Sequence, residues 1–276
     1  MKRPPFVLAR TAFALGLPSL ARALRYRIGV KLGLNPVRRL RAEIPAGAFF
    51  SESRIKAAPE GLVGHAVEET VAVRYFGWYQ PAQHAEPDWH RNPFNGARVN
   101  EPSQPWWQIA DFDPTVGDIK AIWEASRFDW VLVLAQQAVR GRPQAMTQLN
   151  AWLTSWARAN PPYLGPNWKC GQEAAIRVMH LAMAALVLGQ HFSAAPALMA
   201  LVRTHLQRIA PTLGYAIAQD NNHGTSEAAA LFIGGSWLAA QGDPDGRRWH
   251  QAGSHWLENR ARKLIADDGS FSQHSV

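Results

Sequence analysis

One cysteine, Cys170, stands among the 276 residues, so an internal disulfide is excluded and nothing marks a redox compartment. The ten histidines are scattered, with no HExxH pair and no second thiol at ligand spacing, so no metal and no cofactor is expected. No apolar run approaches the roughly 18 residues that a membrane-spanning helix requires, so no transmembrane segment is expected. Charged residues make up 18% of the chain against 47% hydrophobic, a balance that excludes a disordered polyelectrolyte and leaves material for a substantial core. A secretory leader is poorly formed, because Arg10 interrupts the apolar stretch that follows Lys2 and Arg3.

The chain does carry a formal charge of +8, which points to an acidic partner. Outside residues 22–41 no basic run resembles a nucleic-acid arm, and an anionic polysaccharide fits the charge equally well. Twelve tryptophans are present. Their flat faces fill helical cores and also pack on sugar rings.

Residues 1–44 read as helical, broken at Pro18 and Pro36, with Arg22, Arg25, Arg27, Lys31, Arg38, Arg39 and Arg41 spread through them. Such a segment suits a solvated helix face, a membrane surface or an acidic polymer. The helical pattern lapses from Pro45 to Pro114, where Thr70 to Tyr75 alternates like a strand and Trp78, Trp89, His90, Trp106 and Trp107 lie in or beside loops. From Asp113 onward the chain reads as successive helices. The first opens at Asp113-Pro114-Thr115 and buries Ile119, Ile122, Trp123 and Phe128. Others are expected at about 144–159, 171–188, 193–217, 226–240 and 247–265, separated by short Gly, Pro and Asn breaks. Short turns favour antiparallel neighbours, and helices apolar on every side belong inside others. The expected fold is all-α: an incomplete (α/α) toroid of antiparallel helix pairs forming one domain over 1–276. Residues 1–65 are its N-terminal helical extension and 66–276 its core, with a loop-rich segment near 45–114.

Polar groups interrupt two of the apolar helices. Glu173 and Arg177 stand four apart and share a face with His180, which reads either as an intrahelical ion pair or as a polar stripe lining a groove with Gln172 at the helix start. Asp220 to Glu227 (DNNHGTSE) supplies more polar groups than one cap requires. Asn222 and His223 are placed just before a helix start, where backbone N–H groups and the dipole favour an anion. His223 has the pKa for acid or base work, and Glu227 is placed to orient it.

Three separated motifs resemble the heparinase II/III-like polysaccharide lyases: Asn167-Trp168-Lys169-Cys170-Gly171-Gln172-Glu173 with Arg177 after it, Asn221-Asn222-His223-Gly224-Thr225-Ser226-Glu227, and Asp268-Gly269-Ser270-Phe271-Ser272-Gln273-His274-Ser275. Asp118 to Phe128, with Trp123, Glu124 and Arg127, is similar to that family's first toroid helix. The resemblance covers roughly residues 70–276. It implies an (α/α) toroid and β-elimination at a uronic acid, in which the carboxylate is neutralised, the C5 proton removed and O4 protonated on leaving. Asn222, His223 and Gln172 match the carboxylate-neutralising positions. Trp168, Arg177, Glu227 and His274 are the further substrate-binding candidates. The implied partner is an anionic polysaccharide rather than nucleic acid, and the substrate logic places the protein in the periplasm or outside the cell. In the family, the Asp-Gly-Ser-Phe segment leads to a Tyr-His pair and then to a β-sandwich. This chain reaches Val276 before either, so little activity is expected from it alone, and a non-catalytic binder of acidic polysaccharide is the alternative. A hydrolase would instead need two of Glu173, Glu227 and Asp268 facing each other across one sugar bond.

Overall fold

The computed structural model describes residues 5–55, 71–80 and 86–271, and their side chains apart from 5–15 and 54. Helix α1 (Pro5–Lys31) is followed by a long irregular segment and a two-stranded antiparallel hairpin, β1 (Phe112–Asp113) and β2 (Gly117–Asp118). The remainder is helical: α2 (Lys120–Trp123), α3 (Asp129–Val139), α4 (Ala145–Ala159), α5 (Gly171–Val187), α6 (Pro196–Ile209), α7 (Leu213–Ala218), α8 (Asn222–Ala240) and α9 (Gly246–Leu264). The all-α expectation therefore holds.

The helices pack in an alternating pattern. α3 touches α5 and α5 touches α8, while α3, α5 and α8 each also pack on their successors α4, α6 and α9. α5 is apolar round most of its circumference and lies among α3, α6 and α8, the location that an all-round apolar helix requires. α8 and α9 approach closely. A Cβ on Gly253 would overlap the Phe232 backbone nitrogen, so a larger residue there would drive the two helices apart.

Several boundaries differ from those read in the sequence. Asp113-Pro114-Thr115 opens no helix: the Asp113 carboxylate accepts the Thr115 and Val116 amides at 2.8 and 3.0 Å and shapes the hairpin turn. The helix expected beyond it is split, because Phe128, fully buried, takes a left-handed backbone (φ 68°) between α2 and α3. Helix 193–217 is likewise divided near Pro211, which cannot donate an i→i−4 bond, into α6 and α7. In α1 the break falls at Gly16 (φ 74°), and Pro18 is accommodated in the segment after it. Of the strand expected at 70–75, Thr70 lies outside the described residues, and the rest forms only an isolated bridge from Tyr75 to Tyr79.

Candidate functional site

α8 starts four residues earlier than its apolar run suggested. The Asn221 side chain accepts the His223 amide at 3.0 Å and acts as N-cap, so Asn222 and His223 occupy the first turn of α8 instead of preceding it. Asp220, left-handed at φ 54°, anchors the turn to α9 through Arg260 at 2.6 Å and through Lys263. The first turn of α8 is thus held from both sides. Asn222 is exposed and His223 half-buried.

α5 presents its own N-terminus to that turn. Gln172 Nε2 lies 3.5 Å from Ser226 Oγ, and Ser226 Oγ donates to the Asn222 carbonyl at 2.9 Å. Two motifs some fifty residues apart in sequence therefore meet at one place. The approach depends on Gly171, since a Cβ there would collide with the Glu227 carboxylate.

Behind Gln172 lies a buried charge network. Glu173 accepts two bonds from Arg127, from Nε and Nη2, each at 2.9 Å. Arg127 also pairs with Glu124, whose other oxygen accepts the Phe76 amide at 2.6 Å. The Arg127 carbonyl in turn meets His180 Nδ1 at 2.6 Å. The Glu173–Arg177 ion pair, one of the two readings of their spacing, does not form. Glu173 turns toward the segment before α3, while Arg177 donates to His205 Nε2 at 2.8 Å and to the Asn167 carbonyl at 2.7 Å.

Electrostatics set the protonation states here. Burial pushes the His223 pKa below its ordinary value, with nearby Glu173 opposing the shift and Lys120 reinforcing it, so the imidazole is neutral near neutral pH. Burial raises the Glu124 pKa against the stabilising Phe76 amide and Arg127. Glu227 is raised to about 8 by burial, opposed by Arg208, and its Oε2 has no hydrogen-bond partner. It is therefore a neutral acid at neutral pH.

Three of the expected site residues are not where the sequence placed them. Trp168 is fully buried, its indole N–H donating to the Asn160 carbonyl at 3.1 Å and its ring 4.7 Å from that of His205, so it offers no face to a sugar. Arg177 is fully buried too, its guanidinium among the rings of Phe128, Trp156 and Trp168, which removes it from contact with a substrate. Glu227 does not orient His223, because its carboxyl faces Gly171 and the carboxylate near the imidazole is Glu173. A fourth, His274, lies outside the described residues.

Other residues at the site were not singled out as contacts. Arg127 and Glu124 fix the floor, and Lys120 is close enough to His223 to depress its pKa. Arg208 donates to the carbonyls of Trp168 (2.8 Å) and Lys169 (2.6 Å), which secures the turn before α5. An exposed turn carrying Phe76, Trp78 and Tyr79, packed with Phe94, adjoins the floor through the Phe76–Glu124 bond. Its signal was the aromatic density around Trp78. Among the described residues no group of three potential metal ligands occurs.

The chain matches no family model, no curated protein and no solved structure. Two amides (Gln172, Asn222) and a neutral imidazole (His223) stand in the first turns of two helices that touch through Gln172 and Ser226, near carboxylates whose charges Arg127 already pairs. Such a set donates to an anion and can exchange one proton.

Proposed function

We propose that this chain is the (α/α)-toroid part of a polysaccharide lyase, holding a uronic-acid polymer for β-elimination. The observation that carries the reading is the meeting of Gln172 with the start of α8, where its amide nitrogen lies 3.5 Å from Ser226 Oγ in the helix that Asn222 and His223 begin. The alternating contacts of α3, α5 and α8 with α4, α6 and α9 support the toroid.

In this mechanism the amides of Gln172 and Asn222 donate to the uronate carboxylate. As the C5–H bond breaks, negative charge moves onto that group, and fixed donors lower the barrier most where charge develops. His223, neutral and half-buried, adds a third donor through its N–H or takes a proton on its free nitrogen. Arg127 holds Glu173 and Glu124, so neither buried carboxylate repels the incoming one. The electron pair left at C5 then forms the C4=C5 double bond as the C4–O4 bond breaks, and O4 leaves as a hydroxyl with a proton from the imidazolium or from water, giving an unsaturated uronate end.

The hydrolase alternative lacks its pair. Glu173 is committed to Arg127, Glu227 is buried against Gly171, and Asp268 accepts the Ser270 amide in an exposed turn.

Calorimetric titration with alginate oligosaccharides tests the reading. Affinity is expected to fall about 10- to 100-fold in Asn222→Ala and in Gln172→Ala, the worth of a hydrogen bond to a charged group. Ultraviolet absorbance of the unsaturated product separates elimination from binding alone. Unchanged affinity in both variants, or no affinity for any uronate polymer, overturns the proposal.

A further inference from the structure

Helix α1 has two apolar faces, and only one of them is covered. The inner face packs on α7, with Tyr26 stacked on Tyr215 at a centroid distance of 4.1 Å and Ser19 buried. On the opposite side Leu17, Ala21, Leu24, Ile28 and Leu32 recur at helical spacing. At 3.6 residues per turn they fall within an arc of about 80°. Leu32 belongs to the series, because its amide still bonds to the Ile28 carbonyl at 2.8 Å. Leu17 is 82% exposed and Leu32 65%. A solvated helix face has no need of such a stripe.

The charge of the same segment is one-sided. Ten of the 29 Lys and Arg residues lie within residues 1–42, and none of the 21 acids does. The rest of the chain, with nineteen cations against 21 acids, is net −2, so the whole positive excess belongs to this segment. Arg25 lies on one edge of the stripe and Arg27 and Lys31 on the other, all three exposed. Arg22, Arg25, Tyr26, Gly29, Asn35 and Tyr215 also line a cavity of about 650 Å³ along one flank of the helix.

We propose that the outer face of α1 docks on an anionic phospholipid bilayer, lying in the plane of the headgroups. An aliphatic stripe bordered by cations is the pattern that gains from acyl chains and headgroup charge together. A uronate polymer would satisfy the cations but gives nothing to Leu17, Leu24 or Ile28. A second copy would cover the leucines but bring ten cations against ten. No helix among the described residues is long and apolar enough to cross the membrane, so the contact is interfacial. The Arg-lined cavity offers room for a headgroup phosphate beside the stripe. This inference does not rest on the lyase reading.

Co-sedimentation of the full chain with vesicles tests it. Binding is expected to phosphatidylcholine vesicles holding about one-third phosphatidylglycerol, to weaken with salt, and to be absent from phosphatidylcholine alone. The double variant Leu24→Asn/Ile28→Asn should lose about ten-fold or more of that binding with an unchanged thermal melt, because both side chains are exposed. Equal binding by the variant overturns the proposal. So does a variant that loses alginate affinity but not vesicle binding, or a wild-type dimer that the same substitutions convert to monomer.

Discussion

Arg127 grips Glu173 with two nitrogens, each 2.9 Å from a carboxylate oxygen, across 46 positions of sequence. The same guanidinium pairs with Glu124, and both carboxylates are buried, so one half-exposed cation neutralises two buried acids beneath Gln172 and His223. Removing it leaves two unpaired charges facing each other, a far larger cost than the loss of a surface pair. Arg127→Met is expected to lower stability by about 2–4 kcal/mol, read as a urea midpoint that falls with an unchanged slope. Arg127→Lys should recover only part of this, because an ammonium lacks the fork that meets Glu173 with two parallel bonds.

Gly171 and Glu227 compete for the same space. A Cβ at 171 would overlap the Glu227 carboxyl, so Gly171→Ala should destabilise by about 2–3 kcal/mol, as overpacking does. Shortening Glu227 to Ala opens that space. The double variant should then be more stable than the sum of the single changes by at least about 1 kcal/mol, measured as a coupling energy in a double-mutant cycle. Additive costs would show that the two side chains do not meet.

Glu227 makes stability depend on pH in a definite direction. Its pKa rises from 4.5 unfolded to about 8 folded, so between those values the folded state binds the extra proton. Stability is fully present below about 4.5 and is lost as pH climbs through about 8, a total on the order of 5 kcal/mol. Glu227→Gln keeps the shape without the charge. Denaturation across this range should show the wild type losing ground to the variant as pH rises. Parallel curves would mean that Glu227 is not protonated in the fold.

The residues that sequence reading placed well are those whose neighbours are local. The periodic apolar stripes of α4 and α9, and the Gly, Pro and Asn breaks that flank α5, set their limits to within a residue or two. The site was less legible. Asn221, Asn222, Thr225 and Ser226 can all cap a helix, and only the 3.0 Å bond from the His223 amide to Asn221 selects the first of them. Arg177 stood nearer than Arg127 to Glu173 in sequence, and i,i+4 spacing favoured the wrong partner. Trp168 and Arg177 belong to types that serve a sugar groove and a buried aromatic box equally well. Only their packing against His205 decides between the two.

That packing predicts what Trp168→Ala should do. The side chain is fully buried and tied to the Asn160 carbonyl, so its loss should cost about 3–5 kcal/mol of stability. Trp168→Phe keeps the ring in the core and should leave alginate affinity within about two-fold of wild type. A large loss of affinity in a well-folded Trp168→Phe protein would return this residue to the substrate groove.

His223 ties the electrostatics to the proposed chemistry. Burial holds its pKa below the usual 6.5, so in the free protein the imidazole protonates only as pH falls beneath that value. Folding then opposes protonation, and the stability that His223 contributes is present above 6.5 and lost as pH falls through the lower, folded value. A uronate carboxylate bound beside it favours the charged form. Acidification should therefore tighten alginate binding while uronates remain ionised, by about ten-fold if the bound carboxylate raises the imidazole pKa by one. Any elimination that the chain catalyses should change the opposite way, because an imidazolium has no lone pair with which to accept a proton. His223→Gln keeps a donor but does not titrate, so both pH dependences should flatten in calorimetry and in product absorbance. An unchanged profile in that variant would assign the titration to another group and detach His223 from the carboxylate.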